Sequence, residues 1–246
     1  MRLAVLMTNT DESAFAQVHP KDGEKFTALV QFARPDWETR VFAVKDGVFP
    51  ASLGGFDGAI VTGSPASVNS GAEWVGRLLV LLREAVAARL PVFGACFGHQ
   101  ALALALGGAV GDNPGGFVHG LVPMQLGDVP DWARALPDPL HLYASHGEQV
   151  TQLPDGARVW ASSEGCPAAG FSIGRHVFTT QHHPEMSADF FAALTDAFAN
   201  DLGAETVARA RGSMTRPADR GAFAETVARF FEQGQASAAS RSITVA

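Results

Sequence analysis

The longest stretch of the chain without a charged residue runs for 22 positions, from residue 90 to residue 111. By length alone it could cross a bilayer, because a membrane-spanning helix needs about 20 apolar residues. Pro91, His99, Gln100 and several glycines interrupt it, and polar groups of this kind are costly in lipid. We therefore interpret the stretch as a buried strand, a turn and a buried helix, and we expect a cytoplasmic protein with no membrane partner.

Composition excludes several other classes of protein. Of the 246 residues, 47% are apolar and 17% are charged, which suits a chain with a sizeable core and argues against disorder. The net charge of −7 argues against a nucleic-acid-binding surface, which needs clustered Lys and Arg. The 2 cysteines lack zinc-ligand spacing and cannot form a framework of several disulfides, so we expect no metal site.

Short apolar segments alternate with helix-compatible stretches in the first half of the chain. The helical period is clearest over residues 72–89, and this alternation predicts a mostly parallel sheet with helices on both faces. No A-x-A-like cleavage site follows residues 3–7, so we interpret them as the first strand and not as a signal peptide. The other strands predicted in this half are residues 40–44, 58–61 and 91–94.

Between residues 120 and 180 the apolar segments are separated by Pro, Gly and Asp, which predicts an antiparallel extension of the sheet. Ser187 is the predicted N-cap of a helix that runs to about residue 199. We divide the chain into a domain of residues 1–200 and a helical C-terminal extension of residues 201–246. The extension is expected to form two surface helices and a disordered tail from residue 233 onward.

The segment from Gly94 to Gly98 places Cys96 between two glycines, after a predicted strand and before a predicted helix. This arrangement is typical of a nucleophile elbow, in which small neighbours permit a sharp turn and the helix N-terminus favours a thiolate. The alternative is that Cys96 is a small core residue. Cys166 has no helix start beside it and is interpreted as a packing residue.

A second segment, Gln-His-His-Pro-Glu, follows the predicted strand at residues 177–180. Pro184 favours an extended backbone at His183, so that His183 and Glu185 project to the same side. A carboxylate near an imidazole orients it and stabilises the imidazolium, as in a catalytic triad. Two alternatives are a histidine that only stabilises the turn and a metal site that includes His182, which is disfavoured because adjacent histidines in an extended segment point apart.

Two further polar turns follow predicted strands. Backbone N–H groups of the turn at residues 62–65 could join the N–H of Phe97 in stabilising an oxyanion, although an ordinary turn would have the same sequence. The second turn begins at Ser145 and continues through His146 and Gly147 to Glu148. His146 is a possible second base, or else a solvent-facing or backbone-capping residue.

The two motifs together, Gly-Ala-Cys-Phe-Gly-His-Gln and His-His-Pro-Glu, resemble the signatures of class I (triad-type) glutamine amidotransferases, and His183 follows Cys96 by 87 residues. The resemblance covers roughly residues 1–200 and implies a flavodoxin-like fold. The motifs are most similar to a stand-alone group that resembles the glutaminase domain of GMP synthase and includes γ-glutamyl peptidases. Ser64, where glycine is frequent, and His182, where an aromatic residue is usual, depart from the common family pattern.

The resemblance implies a role for each matching position. Cys96 is the nucleophile, His183 the general base and acid, and Glu185 the orienting carboxylate. The oxyanion donors lie at Ser64, with Gly63 before it, and at Phe97. Residues that contact the substrate are Gln100, Ser145, His146, Gly147 and Glu148.

The implied reaction cleaves the γ-glutamyl amide of glutamine through a cysteinyl thioester and releases ammonia, without a cofactor. A separate synthase subunit is a possible partner, since about 46 residues after position 200 are too few for a synthase domain. The alternatives are a γ-glutamyl peptidase acting on glutathione-like compounds and a non-catalytic binding module on the same fold. An α/β-hydrolase with a cysteine elbow is disfavoured because its acid residue would precede its histidine.

Overall fold

The computed structural model describes the backbone of residues 1–243 and the side chains of residues 1–234. The strands are β1 (Arg2–Met7), β2 (Glu38–Ala43), β3 (Gly58–Val61), β4 (Val92–Ala95), β5 (Ala109–Asp112), β6 (Val118–Leu126), β7 (Leu140–His146), β8 (Glu148–Gln152), β9 (Arg158–Ser163), β10 (Cys166–Ile173) and β11 (Val177–Thr180). The α-helices are α1 (Ala14–Val18), α2 (Asp22–Ala33), α3 (Glu73–Ala87), α4 (Phe97–Ala105), α5 (Ala188–Ala197), α6 (Ala199–Leu202), α7 (Ala204–Ser213) and α8 (Arg220–Ile243). Among the residues so described, none of the helices has the length and apolarity needed to span a membrane.

Nine strands form one sheet in the order β2-β1-β3-β4-β11-β10-β9-β6-β7. The neighbours from β2 to β11 pair in parallel, and those from β11 to β7 pair antiparallel. The predicted mostly parallel sheet with an antiparallel extension is thus confirmed. Strands β5 and β8, which the sequence pattern did not predict, form a separate two-stranded sheet.

The parallel strands are apolar along their length because helices cover both faces of the sheet. On one face α2 and α8 pack against β1, β3, β4 and β11, and on the other face α3 and α4 pack against the same strands. Every residue of β3, β4 and β11 is buried. In the charge-free stretch at residues 90–111, β4, the turn and α4 are the buried strand, turn and helix that its interpretation requires. Its last residues form the partly exposed β5, which was not predicted.

Helix α8 corrects the expectation of surface helices after residue 200. Phe223, Phe230 and Phe231 are fully buried and belong to the same core cluster as Phe93 of β4 and Phe178 of β11. Packing in the tertiary structure thus outweighs the polar average composition of this segment. The domain division at residue 200 stays a prediction. Of the tail predicted to be disordered, residues 233–243 continue helix α8, and residues 244–246 lie outside the described residues.

The parallel half of the sheet determines where a site can form. Strands β1, β3, β4 and β11 run in the same direction, so their carboxyl ends lie at one edge, where ligands bind in folds of this type. The residues that follow these ends are Thr8, Thr62, Cys96 and Gln181. Ser187 is the N-cap of α5, as predicted, and its hydroxyl accepts a hydrogen bond from the N–H of Phe190.

Candidate active site

Cys96 occupies a sharp turn between β4 and α4. Its φ of +50° lies in the left-handed region, which non-glycine residues seldom adopt, and such strain is concentrated at functional sites. The Cys96 N–H donates to the carbonyl of Thr180 at 2.9 Å, and the N–H of Gly98 donates to the carbonyl of Thr62 at 3.1 Å. These bonds tie the turn to both neighbouring strands and hold the strained conformation.

The two glycines beside Cys96 allow the close packing that this turn requires. A Cβ at Gly94 would lie 2.6 Å from the carbonyl oxygen of Gly98, and a Cβ at Gly98 would collide with the backbone of Val61. The interpretation of Gly94 and Gly98 as residues of an elbow is consistent with these contacts.

His183 and Glu185 meet Cys96 at the carboxyl edge of the sheet. Nδ1 of His183 lies 2.7 Å from Oε1 of Glu185, and the imidazole is close enough to Cys96 for the two groups to interact electrostatically. The His183 N–H donates to the carbonyl of Tyr143 in β7 at 2.7 Å, which fixes the backbone beside the imidazole. The exposed fractions of Cys96, His183 and Glu185 are only 5%, 6% and 3%.

The charges of His183 and Glu185 stabilise each other. Burial alone would lower the pKa of His183, but the charges of Glu185 and Cys96 and their hydrogen bonds raise it well above its usual range. Burial alone would raise the pKa of Glu185, but its charge and hydrogen-bond interactions with His183, and the charge of Lys25, lower it. The carboxylate and the imidazolium thus form a buried ion pair directly beside Cys96.

The turn after β3 lies directly against this trio. A Cβ at Gly63 would come within 3.0 Å of Cε1 of His183 and 3.6 Å of Cβ of Cys96. The hydroxyls of Thr8 and Thr62 lie 3.0 and 3.2 Å from the carbonyl oxygen of Gly63. Because a trans peptide directs its C=O and N–H in opposite directions, this anchoring directs the N–H of Ser64 away from Thr8.

Phe97 is the first residue of α4, so its N–H has no acceptor within the helix. Its side chain is buried and stacks on Trp74 of α3, with ring centroids 5.4 Å apart. The hydroxyl of Ser64 accepts from the N–H of Ala66 at 3.1 Å. The two predicted oxyanion donors thus belong to rigid segments on either side of the predicted nucleophile.

Gln100 and Glu148 connect α4 to the turn between β7 and β8. Nε2 of Gln100 donates to the carbonyl of Glu148 at 2.9 Å and to Oε1 of Gln181 at 3.2 Å. The carboxylate of Glu148 accepts from the hydroxyl of Ser67 at 2.8 Å, which links this turn to the segment after β3. Gln100 is buried, so in this conformation its amide holds the turn in place.

His146 is buried and donates from Nδ1 to the carbonyl of Glu148 at 3.1 Å, as a backbone-capping histidine does. Burial lowers its pKa to about 4, with a smaller contribution from the charge of His183, so it is neutral near pH 7. The carbonyl of Gly147 accepts from the N–H of Asn113 at 2.8 Å. The hydroxyl of Ser145 lies 3.2 Å from Nδ1 of His119.

The other two motif residues, Cys166 and His182, are buried. Cys166 is buried, and burial raises its pKa to about 12, which keeps it a thiol and agrees with a packing role. His182 is fully buried, and burial lowers its pKa well below the usual range. No group of three or more His, Cys, Asp or Glu residues in the described part of the chain is arranged to hold a metal ion.

Comparison with known proteins establishes the family. The family model described as glutamine amidotransferase class-I matches residues 25–198. The chain belongs to this family. This class I amidotransferase is 38% identical over 171 residues to the Saccharomyces cerevisiae protein YLR126C, which carries a provisional glutamine amidotransferase name, and the match covers 66% of this chain and 68% of that one.

Other relatives of the amidotransferase differ in length. Gamma-glutamyl peptidase 3 of Arabidopsis thaliana is 29% identical over 208 residues, which cover 81% of this chain and 82% of the peptidase. GMP synthase of Syntrophomonas wolfei is 36% identical over 132 residues, which cover 52% of this chain and 24% of the synthase. A solved glutamine amidotransferase from Methylobacillus flagellatus has a TM-score of 0.77 and 27% identity and covers 94% of each chain.

Sequence patterns did not indicate several residues that surround the amidotransferase site. Thr8 could have been found as a polar residue at the carboxyl end of a parallel strand, by the rule that located the other turns. Nothing in the sequence distinguishes Ser67 or His119, because their hydrogen-bond partners lie on elements distant in the chain. The influence of Lys25 on Glu185 likewise joins distant segments.

Proposed function

We propose that this amidotransferase hydrolyses the γ-amide of glutamine through a thioester on Cys96 and releases ammonia. The observation that carries the proposal is the contact of a strained Cys96, at the N-cap position of α4, with a buried His183 that Glu185 holds at 2.7 Å. A nucleophile, a base and an orienting group in this order are the parts of a triad. The intact set argues against a non-catalytic binding module.

The proposed reaction has two halves. Sγ of Cys96 attacks the γ-carbonyl carbon, and the imidazolium of His183 gives its proton to the nitrogen as the C–N bond breaks and ammonia leaves. The neutral imidazole then takes a proton from water, whose oxygen attacks the thioester and releases glutamate and the thiolate. Glu185 stabilises the imidazolium in both halves, and no cofactor is required.

We assign the oxyanion of each tetrahedral intermediate to the N–H groups of Ser64 and Phe97. The anchoring of the Gly63 carbonyl and the position of Phe97 at the start of α4 support this assignment. The γ-glutamyl group would lie beside Gln100 and against the turn from Ser145 to Glu148. These binding roles come from the resemblance and are part of the proposal.

A second candidate, a γ-glutamyl peptidase, uses the same site with a peptide amine as the leaving group. The relatives' lengths favour it, because the chain covers 82% of gamma-glutamyl peptidase 3 and only 24% of the GMP synthase. A synthase subunit as a separate partner would instead consume the ammonia released from glutamine. The acyl-enzyme is common to both candidates, so only the leaving group distinguishes them.

The test is a release assay with glutamine, glutathione and other γ-glutamyl peptides, with and without cell extract. We expect the Cys96→Ser variant to lose turnover of every substrate and the Cys166→Ser variant, as the matched control, to keep it. Faster turnover of glutathione than of glutamine would favour the peptidase, and activation of glutaminase activity by extract would favour a synthase partner. Full activity of Cys96→Ser would contradict both candidates.

A further inference from the structure

His119 forms the centre of a hydrogen-bond chain that ends at Ser145. Nε2 of His119 lies 2.9 Å from the hydroxyl oxygen of Thr195 in α5, and Nδ1 lies 3.2 Å from the hydroxyl oxygen of Ser145 in β7. The imidazole is buried, and it stacks on Phe191 with ring centroids 4.5 Å apart. Neither the reaction proposed above nor the sequence motifs assign a role to His119 or Thr195.

The direction of each bond in this chain follows from the position of one proton. The hydroxyl of Thr195 donates to the carbonyl of Phe191 at 2.8 Å, so toward His119 the Thr195 oxygen can only accept. Nε2 of His119 therefore carries the hydrogen. A neutral imidazole has one N–H, which leaves Nδ1 as an acceptor, and the hydroxyl of Ser145 donates to it.

The ring is neutral at physiological pH. Burial lowers the pKa of His119 to about 4, and the charge of His183 adds to this shift. The hydroxyl of Ser145 therefore donates its only hydrogen to Nδ1 of His119, because a buried Nδ1 without a donor would be costly. Its oxygen retains lone pairs and can only accept a hydrogen bond from a ligand.

We propose that His119, locked by Thr195, is a positioning residue that makes Ser145 an acceptor for the free α-ammonium group of a γ-glutamyl substrate. This inference rests on the proposed function and extends it from the scissile amide to the other end of the substrate. An ammonium offers only donors, so an oxygen held as an acceptor selects for it. The site should therefore discriminate against acyl donors that lack a free α-amine.

Ser145 lies on the strand that pairs with the segment of His183. Tyr143 of β7 pairs with His183, and Ser145 is two residues further along the strand, roughly 7 Å away at the usual strand rise. Tyr143 and His119 both stack on Phe191, so the side chains of Tyr143 and Ser145 lie on the same face of β7. The charge of His183 also reaches His119, the hydrogen-bond partner of Ser145, so this chain of side chains lies near the candidate site.

The kinetic experiment compares glutamine with glutaramate, the analogue without the α-amine, in full-length protein. We expect Ser145→Ala, His119→Phe and Thr195→Val to lower the ratio of kcat/KM for glutamine over glutaramate by about tenfold or more, mainly through KM. Thr195→Ser keeps the hydroxyl and should restore the ratio. The His119→Phe effect should vanish in a Ser145→Ala background, since both changes remove one interaction.

A merely structural role for His119 would lower kcat/KM for both substrates by the same factor, and that result would overturn the proposal. If the wild type hydrolyses no γ-glutamyl compound, the proposed function fails, and with it the assignment of the substrate. A long-range ¹H–¹⁵N spectrum reports the tautomer of His119, and therefore the direction of the hydrogen-bond chain, whether or not the protein is active. The His119 signal is the one that disappears in the His119→Phe variant. We expect the Nε2–H tautomer, and an Nδ1–H tautomer or an imidazolium at pH 7 would overturn the inference regardless of activity.

Discussion

Oε1 of Glu185 lies 2.7 Å from Nδ1 of His183, in a site where both side chains are buried. This contact turns Nδ1 of the imidazole toward the carboxylate, so Nε2 is the ring nitrogen that faces away from it. Loss of the carboxylate charge should therefore affect catalysis more than binding.

Glu185→Gln should lower kcat for γ-glutamyl hydrolysis by roughly 10³-fold or more, because the amide cannot stabilise the imidazolium. KM should change little. Steady-state kinetics with glutamine or glutathione, whichever the wild type hydrolyses faster, measures kcat and KM. Glu73→Gln, at an exposed position in α3, is the matched control and should behave as the wild type. A Glu185→Gln enzyme with normal kcat would show that Glu185 has no orienting role.

Thr8→Val should lower kcat about tenfold with little change in KM. Valine is close to threonine in shape but cannot donate to the carbonyl of Gly63, so the N–H of Ser64 is held less firmly for the oxyanion. Thr8→Ser keeps the hydroxyl and should retain most of the activity. Equal losses in the two variants would point to packing as the cause and would argue against orientation of the peptide.

Gly98→Ala should destabilise the protein by about 1–3 kcal/mol or more, because the new Cβ collides with the backbone of Val61. Gly76→Ala is the contrasting control, since this glycine lies within α3 and has open space around it. There the change should stabilise the protein by about 0.5–1 kcal/mol through helix propensity. Urea unfolding of both variants measures the two free energies, and equal effects would contradict the packing of the elbow.

Phe230→Ala should lower the free energy of unfolding by about 3–5 kcal/mol, because this side chain is fully buried in the core that α8 shares with the sheet. Phe32→Ala removes the same atoms from a side chain that is 66% exposed and should cost at most about 0.5 kcal/mol. A small effect at Phe230 in urea unfolding would mean that α8 is separate from the core.

Stability should fall as the pH is lowered from about 6.5 to about 5. Burial lowers the pKa of His99 to about 3 and those of His119 and His146 to about 4, so these rings bind protons in this window only when the chain unfolds. Each should cost about 2 kcal/mol at pH 5 relative to pH 7. The pKa of His183 is raised, so its stabilising contribution is complete below about 6.5 and adds no slope here.

The slope of unfolding free energy against pH between 5 and 6.5 tests this expectation. His99→Gln should reduce the slope by about one proton, because the free energy changes with the difference in protons bound by the two states. The same slope in His99→Gln as in the wild type would contradict a neutral, buried His99.

The sequence alone was sufficient to predict the positions where chemistry could occur. The spacing of glycines around Cys96 and the proline after His183 are local features, and local features determine turns at the ends of strands. The meeting of Cys96, His183 and Glu185 also followed, because the carboxyl ends of parallel strands share one edge. The roles of these residues in a reaction stay predictions until activity is measured.

The surroundings of the site could not be predicted in this way. Ser67 bonds Glu148 from 81 positions away, and His119 bonds Thr195 from 76 positions away, so no local pattern links them. The pairing of β5 with β8 is likewise a contact between distant segments. The buried face of α8 could not be read from a segment whose average composition is polar.

The sequence by itself determined the family, the order of the elbow and the His-Pro-Glu turn, and the parallel character of the central sheet. Only the tertiary structure decided which polar groups contact one another and therefore where each proton lies. The physical reason is that burial and hydrogen-bond partners set the charge and tautomer of a side chain, and both come from segments far apart in the chain. The hydroxyl of Ser145 donates to His119 because Thr195, on another element, already donates to the carbonyl of Phe191.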